Sequence, residues 1–288
     1  MLTEWGNQVR RMEPLAPRTQ LRLGGPAQAF MEPTSVEQLL SVLRRCHESH
    51  IPVRVLGSGT NLLVRDEGVP GLVLMLNQPA FTDVQVHGRS VKAGGGATLS
   101  ALIAAAAQRS LTGLEALVGI PGTVGGALRC NAGSRAGSVY QSLKRLEVTD
   151  LRGQAVTLTV DEIAPDSLAS EDLIVLQAEF ELDPDDAADI LKRLRKLWIH
   201  KKSQQPFSYQ RSARLFKKPR NLDVERMLEE AGVHELRVGG ARLSERNLNY
   251  CVVEDEATAR DVLHLIEQVK RTVAEKLGQT LSLYLTIW

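Results

Sequence analysis

Hydrophobic positions in the first half of the chain follow two different periods. The helical spacing of apolar residues over 35–46 predicts a helix with Ser35 as its N-terminal cap. Short apolar runs that lie beside glycines predict strands at 52–56, 72–74 and 91–93. Thr98 then caps an alanine-rich helix that is predicted to end near Arg109.

From residue 143 onward the pattern changes to longer strands. Apolar runs separated by Asp, Gly and Ser predict strands at 143–149, 155–160 and 173–182. The acidic residues at 183–186 favour the N-terminus of a following helix, because carboxylates are stabilised at that end. The apolar stripe predicted for this helix consists of Ile190, Leu191, Leu194 and Leu197, and Trp198 is placed in a helix stripe as well.

The last third of the chain contains predicted helices and one segment in which apolar and polar residues alternate. The predicted elements are a helix near 222–231, a strand at 249–253 and a long helix over 257–277. Gly232 and Gly278 are the residues expected to end the two helices. Residues 281–288 alternate as a strand does, which places Tyr284 on the face opposite Leu281, Leu283, Leu285 and Ile287.

Strands and helices are therefore mixed without strict βαβ repetition, and this predicts an α+β fold. The end of the strand-rich region and the basic stretch that follows it suggest a domain boundary. We expect an N-terminal extension at 1–16, a first domain at 17–184 and a second domain at 185–288.

Composition narrows the class of protein. The 288 residues are 43% hydrophobic and 24% charged, which is a normal globular balance. The formal net charge of +1 argues against nucleic acid and against an anionic membrane as a partner. Neither a signal peptide nor a membrane-length apolar run is visible, so a cytoplasmic protein is expected.

The few cysteines and histidines bear on the redox state of the protein and on metal binding. Cys46, Cys130 and Cys251 are an odd, unpatterned set, which favours reduced thiols over disulfides. Cys130 is interpreted as a small buried hydrophobe, with a redox role as the alternative. The histidines show no metal-ligand spacing, so no metal is expected, and the sequence leaves the oligomeric state open.

Two glycine-rich loops carry the candidate chemistry. The first reads Leu56-Gly57-Ser58-Gly59-Thr60-Asn61-Leu62, and the second reads Gly119-Ile120-Pro121-Gly122-Thr123-Val124-Gly125-Gly126-Ala127 with Asn131 soon after. Leu62 occupies the third glycine position of the dinucleotide fingerprint and a strand is expected to follow it. A Rossmann site is therefore disfavoured.

Dense glycines let main-chain N–H groups approach a ligand, and successive N–H groups can form an anion-binding nest suited to a pyrophosphate. Either loop alone could be an ordinary tight turn. The two together, with apolar flanks and neutral polar residues, favour a cofactor cleft. Arg129 and Arg135 flank the second loop, where each could meet a phosphate or remain a solvated cation.

The two loops resemble those of the UDP-N-acetylenolpyruvoylglucosamine reductase (MurB) family, and other segments agree in the same order. These are Thr19 with Leu23-Gly24-Gly25-Pro26-Ala27, Gln205-Pro206, Phe216-Lys217 with Pro219, the segment 239–244 and the segment 257–262. The resemblance covers roughly residues 17–288. It implies the compact class of the family, which lacks a substrate-capping insertion.

The resemblance implies an N-terminal FAD-binding domain of the p-cresol methylhydroxylase (PCMH) type and a MurB-type C-terminal α/β substrate domain. It implies FAD, NADPH as reductant, and reduction of the enolpyruvyl group of a UDP-amino-sugar in peptidoglycan precursor synthesis. The residues that it assigns to FAD binding are Gly57, Ser58, Gly59, Thr60, Asn61, Leu62, Gly119, Ile120, Pro121, Gly122, Thr123, Gly125, Gly126, Ala127, Asn131 and Arg242. For Arg242, an ordinary strand cation is the alternative.

The chain departs from the family at the positions that carry catalysis. Arg214 stands at the position of the family's serine, Tyr284 at that of its glutamate and Lys218 at that of an asparagine. Counting back from Ser167 places the family's functional arginine near Ala164 and Pro165, and no arginine occurs between Arg152 and Arg193. A guanidinium does not donate a proton near neutral pH, whereas a phenol with a pKa of about 10 can donate one.

Four interpretations remain open. The chain could be a reductase with Tyr284 or Ser212 as acid and Arg214 as the partner of an enolate or carboxylate. It could be a flavoenzyme of changed chemistry, or a non-catalytic FAD-binding or regulatory module. In the fourth, Arg214 and Tyr284 are tolerated surface residues in a decayed site.

Overall fold

The computed structural model describes residues 3–134, 136–163, 168, 173–206, 211–217 and 223–288. These fall into two compact units. Unit 1 comprises Met1–Arg11, Ala29–Ser58 and Pro70–Lys202, and unit 2 comprises Met12–Gln28, Gly59–Val69 and Ser203–Trp288. This grouping by contacts differs from the linear division at 184/185, which remains a prediction about the domains.

The helices are α1 (Val36–Glu48), α2 (Pro79–Thr82), α3 (Leu99–Gln108), α4 (Val124–Arg129), α5 (Ala187–Gln204), α6 (Val224–Glu230) and α7 (Ala259–Leu277). The strands of the first half are β1 (Val9–Pro14), β2 (Pro26–Met31), β3 (Val53–Leu56), β4 (Leu62–Leu63), β5 (Val69–Met75), β6 (Val84–His87), β7 (Ser90–Gly94), β8 (Leu111–Thr112), β9 (Gly133–Ser134) and β10 (Gly137–Ser138). The remaining strands are β11 (Leu143–Asp150), β12 (Ala155–Thr159), β13 (Leu173–Glu181), β14 (Asp183–Pro184), β15 (Ser212–Arg214), β16 (Arg237–Val238), β17 (Ala241–Ser244), β18 (Asn247–Val253) and β19 (Thr286–Ile287). This mixture confirms the expected α+β class.

Unit 1 is organised around two sheets. A five-stranded sheet has the order β12-β11-β13-β7-β6 with antiparallel pairs, and a four-stranded sheet has the order β1-β2-β5-β3. In the second sheet β3 runs parallel to β5, with Leu56 opposite Met75 at their ends. The loop that leaves β3 begins at this point, so the parallel pair fixes where Gly57 lies.

Unit 2 contains a four-stranded sheet in the order β15-β18-β17-β16, which shares a hydrophobic core with α6 and α7. One face of α7 is buried in that core, as its apolar period predicts. Separately, β19 pairs in parallel with β4, with Thr286 opposite Leu62.

Three residues that were predicted to begin or end helices do so in the structure. The Ser35 hydroxyl accepts a hydrogen bond from the Gln38 N–H, and the Thr98 hydroxyl accepts one from the Ala101 N–H. Gly278 ends α7 with φ +64°, a conformation that favours glycine. These three boundaries confirm the sequence prediction, because each depends on one or two residues.

Two sequence predictions are wrong in detail. Residues 281–288 do not form one strand, since regular pairing is confined to β19 and the Tyr284 N–H instead donates to the Leu215 carbonyl at 2.8 Å. In α5, Ile190 is 1% exposed whereas Leu191 is 59% and Trp198 is 48% exposed. The core of unit 1 covers only one side of α5, so the predicted stripe was too wide.

Within the described part of the chain, every helix is too short or too polar to cross a membrane.

Candidate functional site

A cavity of about 340 Å³ lies in unit 1 and is walled by two kinds of residue. One part of the wall is aliphatic and includes Val55, Met75, Leu168, Ile174 and Val175. The other part combines glycines with neutral polar side chains, including Gly57, Ser58, Asn77, Gly96, Thr98 and Thr123. Such a wall can bury a flat ring against the aliphatic part and hold a polar linker at the other.

The two glycine loops approach each other closely in this wall. A Cβ atom placed on Gly57 would lie 2.8 Å from the Thr123 hydroxyl oxygen, closer than van der Waals contact allows. Gly57, Thr123, Gly125 and Gly126 all line the cavity. The missing side chain at position 57 therefore allows the two loops to reach one ligand.

Four main-chain N–H groups of the second loop, those of residues 124–127, are hydrogen-bonded inside the protein. Those of Val124 and Gly125 donate at 2.8 Å to the carbonyls of Ala97 and Gly95. The Gly126 N–H donates to the Thr123 hydroxyl at 3.2 Å, and the Ala127 N–H donates to the Thr123 carbonyl at 2.8 Å. These four N–H groups are therefore not available to an anion, and the anion-binding nest expected of the second loop remains a prediction for its other residues.

The first loop is different. Among the described residues, the N–H groups of Gly57 and Ser58 have no hydrogen-bond acceptor, and both residues line the cavity. They are main-chain donors available to an anionic group, and the Thr123 N–H in the same wall likewise has no acceptor among the described residues.

The rest of the first loop lies in unit 2. Gly59 has φ +62°, and a Cβ atom there would meet the Arg18 carbonyl. The Asn61 side-chain amide donates to the Tyr284 carbonyl at 2.9 Å, and Leu62 is buried within β4. Thr60 adjoins them and is half-buried. The contacts of Gly59, Asn61 and Leu62 are structural, and the FAD role of all four remains a prediction.

The predicted residues on either side of 123–126 lie outside the cavity wall. Gly119 has φ +72° and packs against Lys201, Ile120 is partly buried, and Pro121 is exposed. The Gly122 carbonyl accepts a hydrogen bond from the Leu99 N–H at 3.1 Å. Ala127 is buried, and Asn131 is exposed with φ +44°.

A third glycine segment was missed as a wall of the cavity. Gly95 and Gly96 line it, and Cβ atoms on them would collide with the carbonyls of Val175 and Leu76 respectively. The signal was present in the sequence as three successive glycines before the Thr98 cap. Arg129 is the cation among the described lining residues, as one of its two interpretations allowed.

In unit 2, Arg214 and Tyr284 are brought together. The guanidinium carbon of Arg214 lies 4.8 Å from the centroid of the Tyr284 ring, which is a cation–π arrangement. Arg214 also pairs with Tyr250 across β15 and β18, so their side chains share a face of the sheet. Burial raises the pKa of the Tyr250 phenol, while the positive charge of Arg214 acts in the opposite direction.

The buried Asn249 amide holds the strand that carries Arg214. Its side-chain oxygen accepts from the Phe216 N–H at 2.9 Å, and its side-chain nitrogen donates to the Phe216 carbonyl at 3.0 Å. Asn249 is fully buried, so these two bonds satisfy its polar atoms away from water. They fix the chain directly after Arg214.

Other candidates have plainer surroundings. Ser212 is 1% exposed, and Arg242 lies 3.7 Å from Glu245 on the surface side of β17. Cys130 is half-buried rather than fully buried. Arg135, residues 164–167 and the pair Lys218-Pro219 lie outside the described residues. Across the residues that are described, no group of His, Cys, Asp and Glu could hold a metal ion.

Comparison with known proteins gives two matches to family models. Residues 27–159 match the model described as an FAD binding domain. Residues 205–288 match the C-terminal domain of UDP-N-acetylenolpyruvoylglucosamine reductase. These matches agree with the fold expected for the two parts of the chain.

Individual relatives cover nearly the whole chain. The UDP-N-acetylenolpyruvoylglucosamine reductase 2 of Symbiobacterium thermophilum is 38% identical over 98% of this chain and 92% of its own length. The reductase of Moorella thermoacetica is 36% identical over 98% of this chain and 93% of its own. The crystal structure of the Thermus caldophilus reductase (MurB) matches with a TM-score of 0.81 and 32% identity, over 97% of this chain and 98% of that one.

Proposed function

The chain belongs to the UDP-N-acetylenolpyruvoylglucosamine reductase family, and we propose that it reduces the enolpyruvyl group of a UDP-amino-sugar with FAD and NADPH. The product would be UDP-N-acetylmuramate. The observation that carries the proposal is the close approach of Gly57 to Thr123 in the wall of one cavity.

The cavity residues fit FAD in their chemistry. The free N–H groups of Gly57 and Ser58, the Thr123 hydroxyl and the Arg129 guanidinium are donors suited to a diphosphate. The aliphatic residues on the other part of the wall suit an aromatic ring. We assign diphosphate binding to these donors and exclusion of water to the aliphatic wall.

Bound FAD supplies the hydride-transfer chemistry that couples oxidation of NADPH to reduction of a carbon–carbon double bond. A hydride and a proton must both be added to the enolpyruvyl group. The protein therefore has to hold the substrate carboxylate and provide the proton.

We assign the carboxylate to Arg214, whose guanidinium can form two parallel hydrogen bonds with it. We assign the proton to the Tyr284 hydroxyl. The Arg214 guanidinium stacks over the Tyr284 ring, so the two assigned groups lie beside each other. Ser212 is nearly inaccessible, which makes it the weaker candidate.

The test is anaerobic reduction of the purified flavoprotein in two steps. NADPH should bleach the flavin absorbance, and the enolpyruvyl UDP-sugar should restore it. Tyr284→Phe should leave bleaching unchanged and slow the restoration about 10²- to 10⁴-fold, the usual contribution of a general acid. Bleaching followed by no substrate-dependent restoration would refute the reductase proposal.

A second candidate is a non-catalytic FAD-binding module. It is favoured by Arg214, because a guanidinium at the family's serine position cannot donate a proton. In that case the substrate would bind without restoring the flavin absorbance, and Arg214→Ser would gain turnover. Loss of turnover in Arg214→Ser would instead support the reductase.

A further inference from the structure

Large apolar side chains are exposed on the side of α5 that faces solvent. Leu191 is 59% exposed, Trp198 is 48% exposed and Ile199 is 56% exposed. Leu191 and Trp198 are seven residues apart, so they lie within about 20° of each other around the helix axis. The remaining large hydrophobic side chains that are exposed among the described residues, Met12, Val156 and Val160, lie elsewhere in the chain.

The same helix concentrates positive charge. It contains six lysines and arginines against one aspartate, whereas the whole chain has a net charge of +1. Lys192, Arg195 and Lys196 are exposed, and none has a carboxylate partner within 4 Å in the part of the chain that is described. We call Leu191, Lys192, Arg195, Lys196, Trp198 and Ile199 the outward face of α5.

The opposite side of α5 is firmly attached to unit 1. Arg193 lies 3.2 Å from Glu115 and 2.7 Å from Asp185. Ile190 is buried and Leu194 packs against the core. The outward face is therefore presented on a fixed helix.

Helix α7 shows what an ordinary surface helix of this chain looks like. Two of its cations are paired along the helix, with the half-buried Lys270 3.8 Å from Glu267 and the exposed Arg271 3.9 Å from Glu275. None of its large apolar side chains is among the exposed ones. The outward face of α5 thus differs from α7 in both charge and exposure.

We propose that the outward face of α5 docks in the plane of an anionic phospholipid bilayer. Tryptophan and aliphatic side chains insert at the boundary between headgroups and acyl chains, and neighbouring lysines and arginines bind the lipid phosphates. The near-zero net charge of the chain argued against such a partner, but that value averages over residues far from α5.

Two other occupants fit the observations less well. A two-fold contact between copies of the chain would set Lys192, Arg195 and Lys196 against the same cations of the second copy. An acidic protein surface would pair with the cations but leaves the exposed tryptophan and aliphatic residues without an apolar partner. A bilayer satisfies both kinds of side chain.

Co-sedimentation of the FAD-loaded full chain with vesicles tests the proposal. Binding should be clear with mixed phosphatidylcholine and phosphatidylglycerol vesicles, weak with pure phosphatidylcholine, and reduced by salt. Arg195→Gln with Lys196→Gln should weaken binding about 25-fold, from about fivefold per cation near an anionic surface. Trp198→Gln should weaken it at least about tenfold.

Matched controls remove the same charge or the same type of group elsewhere. Lys270→Gln with Arg271→Gln on α7, and Val156→Gln at another exposed apolar site, should leave vesicle binding unchanged. Equal loss in these controls would overturn the proposal. It would also be overturned by binding to polyglutamate but not to vesicles, or by Trp198-dependent dimerisation without vesicle binding.

Discussion

The close approach of the two loops makes Gly57→Ala the most informative substitution. The new Cβ atom would lie 2.8 Å from the Thr123 hydroxyl oxygen, a separation that side-chain carbons do not adopt. Gly57 does not have a positive φ, so alanine introduces no backbone strain there. The collision with Thr123 is therefore the dominant effect.

The Thr123 hydroxyl cannot move freely, because it caps α4 by accepting from the Gly126 N–H at 3.2 Å. Overpacking of this kind costs about 1–3 kcal/mol. The same displacement of the loop should weaken FAD binding by about 5- to 150-fold, which is the equivalent change in affinity.

A double-mutant cycle isolates the collision. Thr123→Ala alone should lower the free energy of unfolding of the FAD-free protein by about 1 kcal/mol through loss of the cap. The double variant should be little worse than Thr123→Ala, because the colliding oxygen is gone. The two effects should thus be strongly non-additive, as expected for groups in contact.

Urea unfolding of the FAD-free variants and titration with FAD supply both readouts. Ser58→Ala is the matched control, since the neighbouring side chain is exposed and its main-chain N–H is retained. Additive effects of the two substitutions on unfolding, or normal FAD affinity in Gly57→Ala, would refute the reasoning.

Three further predictions concern buried groups. Burial alone would raise the pKa of Glu115, but its hydrogen bonds hold that pKa below the ordinary value. Glu115→Gln should therefore lose about 1–2 kcal/mol of stability at neutral pH, and the difference in stability from the parent protein should shrink as pH falls below about 4.3. An equal loss at all pH values in urea unfolding would contradict this. Burial raises the pKa of Tyr250, so the parent protein should lose stability more steeply than Tyr250→Phe as pH rises above about 10, and parallel pH profiles would exclude it. Burial raises the pKa of Cys46 to about 11 and of Cys251 to about 12. Iodoacetamide at mildly alkaline pH should therefore modify the half-buried Cys130 first, which mass spectrometry of peptides would measure. Faster labelling of either buried thiol would contradict this.

The parts of the fold that the sequence predicted are those set by a few neighbouring residues. The caps at Ser35 and Thr98 and the stop at Gly278 each depend on one side chain or one φ value. The long strands β11 and β13 also followed from their apolar runs, because both are central in one sheet and bury many side chains.

What the sequence did not predict depends on the partner of each segment. Apolar spacing in α5 identified a helix, but it could not show that the core covers Ile190 and leaves Leu191 and Trp198 exposed. Alternation after Leu281 suggested a strand, whereas irregular pairing with Leu215 interrupts it. Neither outcome is encoded in local periodicity.

The candidate site shows the same limit. Glycine density marked both loops, and the structure brings Gly57 and Thr123 together. Glycine density could not show that the carbonyls of Ala97 and Gly95 accept from the N–H groups of Val124 and Gly125, because those acceptors lie about thirty residues away in the sequence. Which donors remain for a ligand was therefore decided by tertiary structure.

The most direct test of the account is a crystal structure of the chain with FAD bound. It should place diphosphate oxygens within about 3.2 Å of the main-chain nitrogen atoms of Gly57 and Ser58, with the Thr123 hydroxyl on the same group. A diphosphate held elsewhere, with those two N–H groups facing only water, would contradict it.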